Sequence, residues 1–245
     1  MLLAIDSGNS RLKFGLYDPL TRGWSAQGSV YPHDPVQVES ALRALQAPTS
    51  IAVANVAGTE RARMIELACA HWHLPIRWLR AEPRTLGLTN GYDRPDSLGV
   101  DRWCALVAAW SRRQAAAVVV GCGTATTVDS LSASGHFAGG MILPGLELMK
   151  RSLAAHTAAL KLQEGQVVPL PRNTADAIES GCIAAQVGAI ERVARTLPAA
   201  VHVLIAGGAA ARIAAHLTLP HELVPHLVLE GVGLIGSIGW AGVGR

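Results

Sequence analysis

The stretch from Leu2 to Tyr17 constrains this chain more than any other. An apolar run, Leu2-Leu3-Ala4-Ile5, ends in Asp6 and breaks into a polar turn, Ser7-Gly8-Asn9-Ser10, before an alternating segment begins. It predicts strand, tight turn, strand. After the turn, Leu12, Phe14 and Leu16 fall on one face and Arg11, Lys13 and Gly15 on the other, the two-residue period of a strand. A buried strand that ends in a carboxylate and enters a Gly-containing turn sets an acid and several backbone N–H groups at a sheet edge, as a metal-bound phosphate requires. Lys13 can lean back over that turn. A plain hairpin, with Asp6 and Asn9 only satisfying turn backbone, fits the same residues. Ala116 to Leu131 repeats the pattern, with an apolar run to Val120, a turn through Gly121-Cys122-Gly123-Thr124, and an alternating segment beyond. Gly8-Asn9 and Gly123-Thr124 fall in register. Two such hairpins, one opening each half, predict a duplicated unit whose turns face each other across a cleft and share one polyphosphate. Asp6 is matched by Gly121, so the second turn lacks a carboxylate.

Composition removes several function classes. Half of the 245 residues are hydrophobic, enough for a large core, yet no apolar run approaches membrane-spanning length. Leu2 to Ile5 is too short for a signal peptide and has no basic flank, so a cytoplasmic protein without membrane partners is expected. Cys69, Cys104, Cys122 and Cys182 are scattered with no C-x-x-C pair, which argues for buried, reduced thiols over a zinc site or disulfide framework. The balance of 21 basic to 18 acidic residues leaves +3. Arg61, Arg63, Arg77, Arg80 and Arg84 thicken one region, but acids and apolar residues interrupt them and few aromatics stand by to stack bases, so no nucleic-acid partner is expected.

Strands and helices alternate along the chain. Trp24 to Val30, Ser50 to Ala54 and Ile76 to Leu79 read as strands, and Val36 to Leu45 and Thr59 to Trp72 as helices. A loop from Glu82 to Leu98 leads into a helix from Gly99 to Arg113. The second half offers strands at Val118 to Val120, Thr126 to Leu131 and His136 to Ile142, then a helix starting near Pro144. A long helix over Thr174 to Leu197, a strand over Val201 to Ala206 and a final helix over Leu227 to Trp240 complete it. With no low-complexity linker, the expected domains are 1–115 and 116–245.

Two motifs are discounted. Gly231-x-Gly233-x-x-Gly236 matches a dinucleotide fingerprint but has no βαβ unit after it and no acid about 20 residues on, so close helix packing explains it better. His71 and His73 diverge on a helix and lack an acidic or thiol partner. The segment from Asn90 to Trp103 is different, because it joins a turn, a Pro-fixed segment and a helix start. Asp101 falls in the first turn of the following helix, where the macrodipole favours an ionised carboxylate, and Arg102 can bind an anionic substrate. Asp101 serves equally as a helix cap or, beside phosphate turns, as the base that takes a proton from an alcohol in phosphoryl transfer.

Together, Asp6-x-Gly8-Asn9-Ser10-x-x-Lys13, the segment N-G-Y-x-x-P-x-x-L-G-x-D-R ending at Arg102, Gly123-Thr124-Ala125-x-Thr127 and Gly139-Gly140-x-Ile142-x-Pro144-Gly145 resemble the type III pantothenate kinase family over nearly the whole chain. The resemblance implies an α/β fold of two duplicated RNase H-like, actin-like ATPase domains with a nucleotide cleft between them. It also implies phosphorylation of pantothenate by ATP with Mg2+, the first step of coenzyme A synthesis. Carried over by position, Asp6, Ser7, Gly8, Asn9, Ser10, Arg11, Leu12, Lys13, Gly123 and Thr124 would bind ATP, with Gly207 and Gly208 near the nucleoside. Asp6 would ligate Mg2+. Asp101 would be the base, and Tyr92, Gly99, Val100, Asp101 and Arg102 would bind pantothenate. The family acts as a homodimer, and Thr174 resembles the threonine that completes the partner's pocket. Ser10 stands for the usual Thr. Gly121 stands where the family commonly places an Asp that ligates an activating K+ or NH4+ ion, which puts that cation in doubt here. Some relatives are named as accessory factors, so an inactive regulatory protein of the same fold is the non-enzyme alternative. A sugar kinase or polyphosphatase is the other, sharing the phosphate turns without needing Tyr92 to Arg102.

Overall fold

In the computed structural model, residues 1–156, 163–197 and 201–239 are described. The chain divides into one unit made of Met1–Arg113 and the segment from His226, and a second made of Gln114–Pro225.

The first unit is organised around β1 (Leu2–Ser7), whose apolar run is buried on both faces. Antiparallel to it lies β2 (Leu12–Asp18), and β3 (Gly23–Val30) extends that edge. Helix α1 (Pro35–Arg43) follows, its first turn satisfied by Asp34, which accepts from the amides of Val36 at 3.0 Å and Gln37 at 3.2 Å. Next come β4 (Ser50–Asn55), parallel to β1, helix α2 (Thr59–Cys69) and β5 (Ile76–Trp78). The sheet order is β3-β2-β1-β4-β5. Leu3, Ile5, Leu12 and Phe14 meet Val38, Leu42 and Ile65 from the two helices on one face. The Glu82 to Leu98 segment is not a plain loop. It holds a small hairpin, β6 (Arg84–Thr85) with β7 (Leu88–Asn90), and a single 3-10 turn at Pro95–Ser97. Leu86 and Gly87 make the hairpin turn with φ of 48° and 85°, which a reading of apolar periodicity passes over because the strands are so short. Helix α3 (Val100–Arg113) is buried along most of its length.

The second unit repeats this plan. Strands β8 (Ala117–Cys122), β9 (Ala125–Leu131) and β10 (His136–Pro144) pair antiparallel in succession. After α4 (Leu146–His156) and α5 (Thr174–Ala194), β11 (His202–Ala206) adds parallel to β8. A short α6 (Ala210–Ala214) and β12 (His221–Leu223), parallel to β11, follow. The order β10-β9-β8-β11-β12 reproduces β3-β2-β1-β4-β5 in sequence and in sense. Asp6 and Gly121 are the fifth residues of β1 and β8, paired with Lys13 and Thr127 on one side and Ala54 and Ala206 on the other. The register read from the sequence is thus the register of the two sheets. Val118, Val120, Val128, Ile183, Ile190, Val203 and Ile205 form this unit's core.

Two expectations are corrected. Pro144 ends β10, paired with Ala125 of β9, instead of opening α4, which starts at Leu146 after Gly145, where a side chain would collide with the carbonyls of Gly123 and Thr124. The expected 116–245 domain loses its last helix, α7 (Leu227–Gly236), which belongs to the first unit. The reason lies in the glycines first discounted as a dinucleotide motif. A Cβ at Gly231 would be driven into the carbonyl of Cys104 on α3, one at Gly233 would lie 2.9 Å from the Tyr17 ring, and one at Gly236 would lie 2.7 Å from Ala52 and 2.8 Å from Leu2. The stripe lets α7 lie directly on α3 and on the second face of the sheet. Trp240, placed in this helix by the sequence, lies outside the described residues.

Gly231→Ala is expected to lower the unfolding free energy by about 3 kcal/mol, since backbone must move to admit one methyl. Gly188→Ala, in α5 with no atom within 4 Å of the added carbon, should be neutral or stabilising by about 0.5 kcal/mol. Urea denaturation of the two variants measures the difference.

Candidate phosphate and substrate site

Four side chains of the first unit converge at one end of its sheet. Asp6 points from β1 to the face opposite Leu3 and Ile5, and Lys13 stands directly across from it on β2. The intervening turn is closed by the Gly8 amide donating to the Arg11 carbonyl at 3.1 Å. Asn9, Ser10 and Arg11 stand exposed at its tip. Burial pushes the Asp6 carboxyl up to about 7, Lys13 opposes the shift, and the negative charge of Asp101 adds to it. Asp6, Lys13 and Asp101 therefore feel one another. His226, at the start of α7, is the fourth. Burial first and Lys13 second hold its imidazole below the ordinary range, with Glu230 opposing, so the ring is neutral at physiological pH. Arg112 on α3 grips Glu230 on α7 with two hydrogen bonds, at 2.7 and 2.6 Å.

Asp101 sits in the first turn of α3, where its Oδ1 accepts from the Arg102 amide at 2.8 Å. Gly99 makes that posture available: a Cβ there would stand 2.7 Å from the same oxygen. Arg102 is buried and donates through Nη1 to the Tyr92 hydroxyl at 2.8 Å, with its guanidinium carbon 5.5 Å from the ring centroid. The loop that carries Tyr92 is pinned by Asn90. The Asn90 amide group donates to the Pro95 carbonyl at 3.1 Å and its oxygen accepts from the Tyr92 amide at 3.1 Å. Val100 is buried at the helix start and serves the packing.

The turn of the second unit is built from backbone. The Gly123 amide donates to the Ala125 carbonyl at 3.0 Å and the Gly145 amide to the Thr124 carbonyl at 3.0 Å. Gly207, at φ 107°, lies so close to the Cys122 backbone that no side chain fits, whereas nothing lies within 4 Å of a carbon added at Gly208. Gly123 and Thr124 are exposed between these braces. At Gly121 an added Cβ would meet Thr127 Oγ1 at 2.9 Å. Thr174 is exposed at the first position of α5, whose N-terminus is capped by Asn173 accepting from the Asp176 amide at 2.9 Å.

Of the residues singled out in the sequence, the first unit brings together Asp6, Lys13, Tyr92, Gly99, Asp101 and Arg102. Ser7 and Leu12 turn to the other side of the sheet, Leu12 into the core with α1 and α2. His226 and Asn90 were missed. Asn90 looked like an ordinary turn residue, and His226 lies far from every motif and reaches the site only because α7 folds back. His71 is a packing residue whose Nδ1 lies 3.0 Å from the Ala68 carbonyl.

A family model described as type III pantothenate kinase matches residues 2–196. A type III pantothenate kinase from Dechloromonas aromatica is 45% identical over 95% of this chain and 97% of its own length. One from Aromatoleum aromaticum is 43% identical, covering 96% and 97%. Among solved structures, a candidate Baf family transcriptional activator from Campylobacter jejuni superposes with a TM-score of 0.60 at 22% identity, covering 94% of each chain. A candidate 2-dehydro-3-deoxygalactonokinase from Sinorhizobium meliloti reaches 0.62 at 14%, covering 98% of this chain and 100% of that one. These two likenesses concern the fold, an α/β architecture of actin-like ATPase type.

The Asp6 carboxyl sets a pH signature. Its folded value near 7 exceeds the ordinary 3.8, so between those limits the folded chain holds a proton that the unfolded chain releases, and stability falls as pH rises through that window. In EDTA, Asp6→Asn should stabilise the chain by about 2 kcal/mol at about pH 8 and by nothing at about pH 4, read by urea denaturation.

Proposed function

The chain belongs to the type III pantothenate kinase family, and from that membership and the geometry around Asp101 we propose that it transfers the γ-phosphoryl group of ATP to the primary hydroxyl of pantothenate, forming 4'-phosphopantothenate in coenzyme A synthesis. The observation that carries this reading is a carboxylate held at a helix start beside a buried Arg–Tyr pair, on the same sheet face as a strand-end Asp and its facing Lys.

In this reading Asp101 is the base. Its Oδ1 is committed to the Arg102 amide, which leaves Oδ2 to accept the proton of the substrate hydroxyl as that oxygen bonds to phosphorus and the bond from phosphorus to the β-phosphate oxygen breaks. Arg102, fixed by Tyr92, and Gly99 orient pantothenate, the guanidinium serving its carboxylate. Gly8, Asn9, Ser10, Arg11 and Lys13 bind phosphate oxygens, and Gly123, Thr124, Gly207 and Gly208 bind the rest of the nucleotide. The buried Asp6 fits a divalent cation, because a carboxyl pushed toward neutrality by its surroundings ionises readily once a cation stands next to it. Mg2+ held by Asp6 would neutralise phosphate charge. Position 121 does not fit the family's monovalent cation. It offers no carboxylate, and Thr127 Oγ1 borders the space where one would start, so no step is assigned to K+ or NH4+. Thr174, exposed at a capped helix start, is free to reach into a partner subunit's pocket in the homodimer that we propose, and the family's place in coenzyme A synthesis is the ground for proposing that the chain acts in the cytoplasm.

An ADP-release assay with pantothenate and with sugars, with and without K+, tests the reading. Turnover should require pantothenate and be independent of K+, and Asp101→Asn should lower kcat by about 100-fold or more with little change in KM for ATP. Unchanged turnover in that variant would remove Asp101 as the base, and turnover with sugars alone would overturn the substrate. A homodimer predicts twice the chain mass by light scattering, with Thr174→Ala raising KM for pantothenate while the mass is retained.

A further inference from the structure

Arg11 stands at the tip of the first phosphate turn, where a long cationic side chain would ordinarily sweep through solvent. Its carbonyl is held by the Gly8 amide at 3.1 Å, so the backbone is fixed and only the side chain is left to place. Tyr31 places it. The guanidinium donates through Nη2 to the Tyr31 hydroxyl at 2.6 Å, and its central carbon lies 4.2 Å from the ring centroid.

The strands set which side of the sheet this pair occupies. Leu12 and Val30 are partners across β2 and β3, and both pack toward α1 and α2. Arg11 precedes Leu12 and Tyr31 follows Val30, so alternation turns the pair to the opposite face, the one that carries Asp6 and Lys13. Tyr31 is also a firm support. Val30 before it belongs to the ladder, and Pro32 after it is buried and confines the Tyr31 backbone to extended conformations. The residue is 57% exposed, so its ring adds little to the core.

The chemistry of the partner matters as much as its place. An aspartate or glutamate in this position would neutralise Arg11 and compete with any arriving anion, whereas tyrosine fixes the guanidinium through a neutral oxygen and a ring face. Among the described residues, Arg11 forms no ion pair with a carboxylate. Its charge is therefore oriented but not spent.

We propose that Tyr31 is a positioning residue for ATP, holding the Arg11 guanidinium at the turn where the phosphate oxygens arrive without neutralising it. This rests on the reading that the turn binds the nucleotide. An unsupported arginine loses rotamer freedom when it meets a phosphate, and one already stacked on a ring has lost much of it beforehand, so the bound state forms at a smaller entropic cost.

Isothermal titration of ATP with Mg2+ into the full chain, without pantothenate, tests this. Tyr31→Ala should raise Kd for ATP by about 5-fold, and Tyr31→Phe, which keeps the ring but loses the hydroxyl, by about 2-fold. Arg11→Met should raise it by about 10-fold. Tyr31→Ala added to Arg11→Met should then change nothing further, because Tyr31 acts only through Arg11. Each variant should keep the wild-type Tm within about 2 °C, as expected of exposed positions. In turnover the loss should fall on KM for ATP, with kcat and KM for pantothenate unmoved. A Kd that Tyr31→Ala leaves unchanged or lowers, or an equal rise with and without Arg11, would overturn the inference. Wild type that binds no ATP would overturn both this inference and the nucleotide reading, whereas wild type that binds ATP with these variant effects but does not phosphorylate pantothenate would overturn only the substrate.

Discussion

The contact between Gly231 and the Cys104 carbonyl fixes more of this protein than any other. It is a backbone-to-backbone approach of α7 onto α3, and it holds α3 against the sheet face from which Asp6 and Lys13 project. Asp101 is the second residue of α3, so the helix position sets the carboxylate position. The bidentate pair of Arg112 with Glu230 acts between the same helices and resists their sliding. The N-cap of α7, His226, lies within the field of the Lys13 charge.

Electrostatics then follow from burial. Asp6 is placed where a lone carboxylate is penalised, close enough to Asp101 for the two charges to repel and with one lysine to relieve them. Such a site is short of positive charge.

Much of this was readable from residue order. The alternation after Gly8 and after Gly123 gave both hairpins and their matching register, since the two-residue period leaves only one pairing that buries the apolar set. Asp101 at a helix start and the close-packing role of Gly231, Gly233 and Gly236 were readable too, because each depends on local pattern. The β6 and β7 hairpin was missed, being too short for any periodicity. The membership of α7 was also missed, because it depends on which distant helix accepts a glycine face. Arg61 appeared only as one of several arginines in a basic region. Its partial burial comes from its place on the inward stripe of α2, which no local signal distinguishes from the exposed Arg63 two residues on.

The sequence by itself determined the duplicated strand–turn–strand plan and the family, because these rest on side-chain type and on spacing within one element. Tertiary structure alone decided that α7 returns to the first unit and that Asp6 and Asp101 share a field. Those outcomes turn on long-range packing and on desolvation, which depend on what surrounds a residue in space.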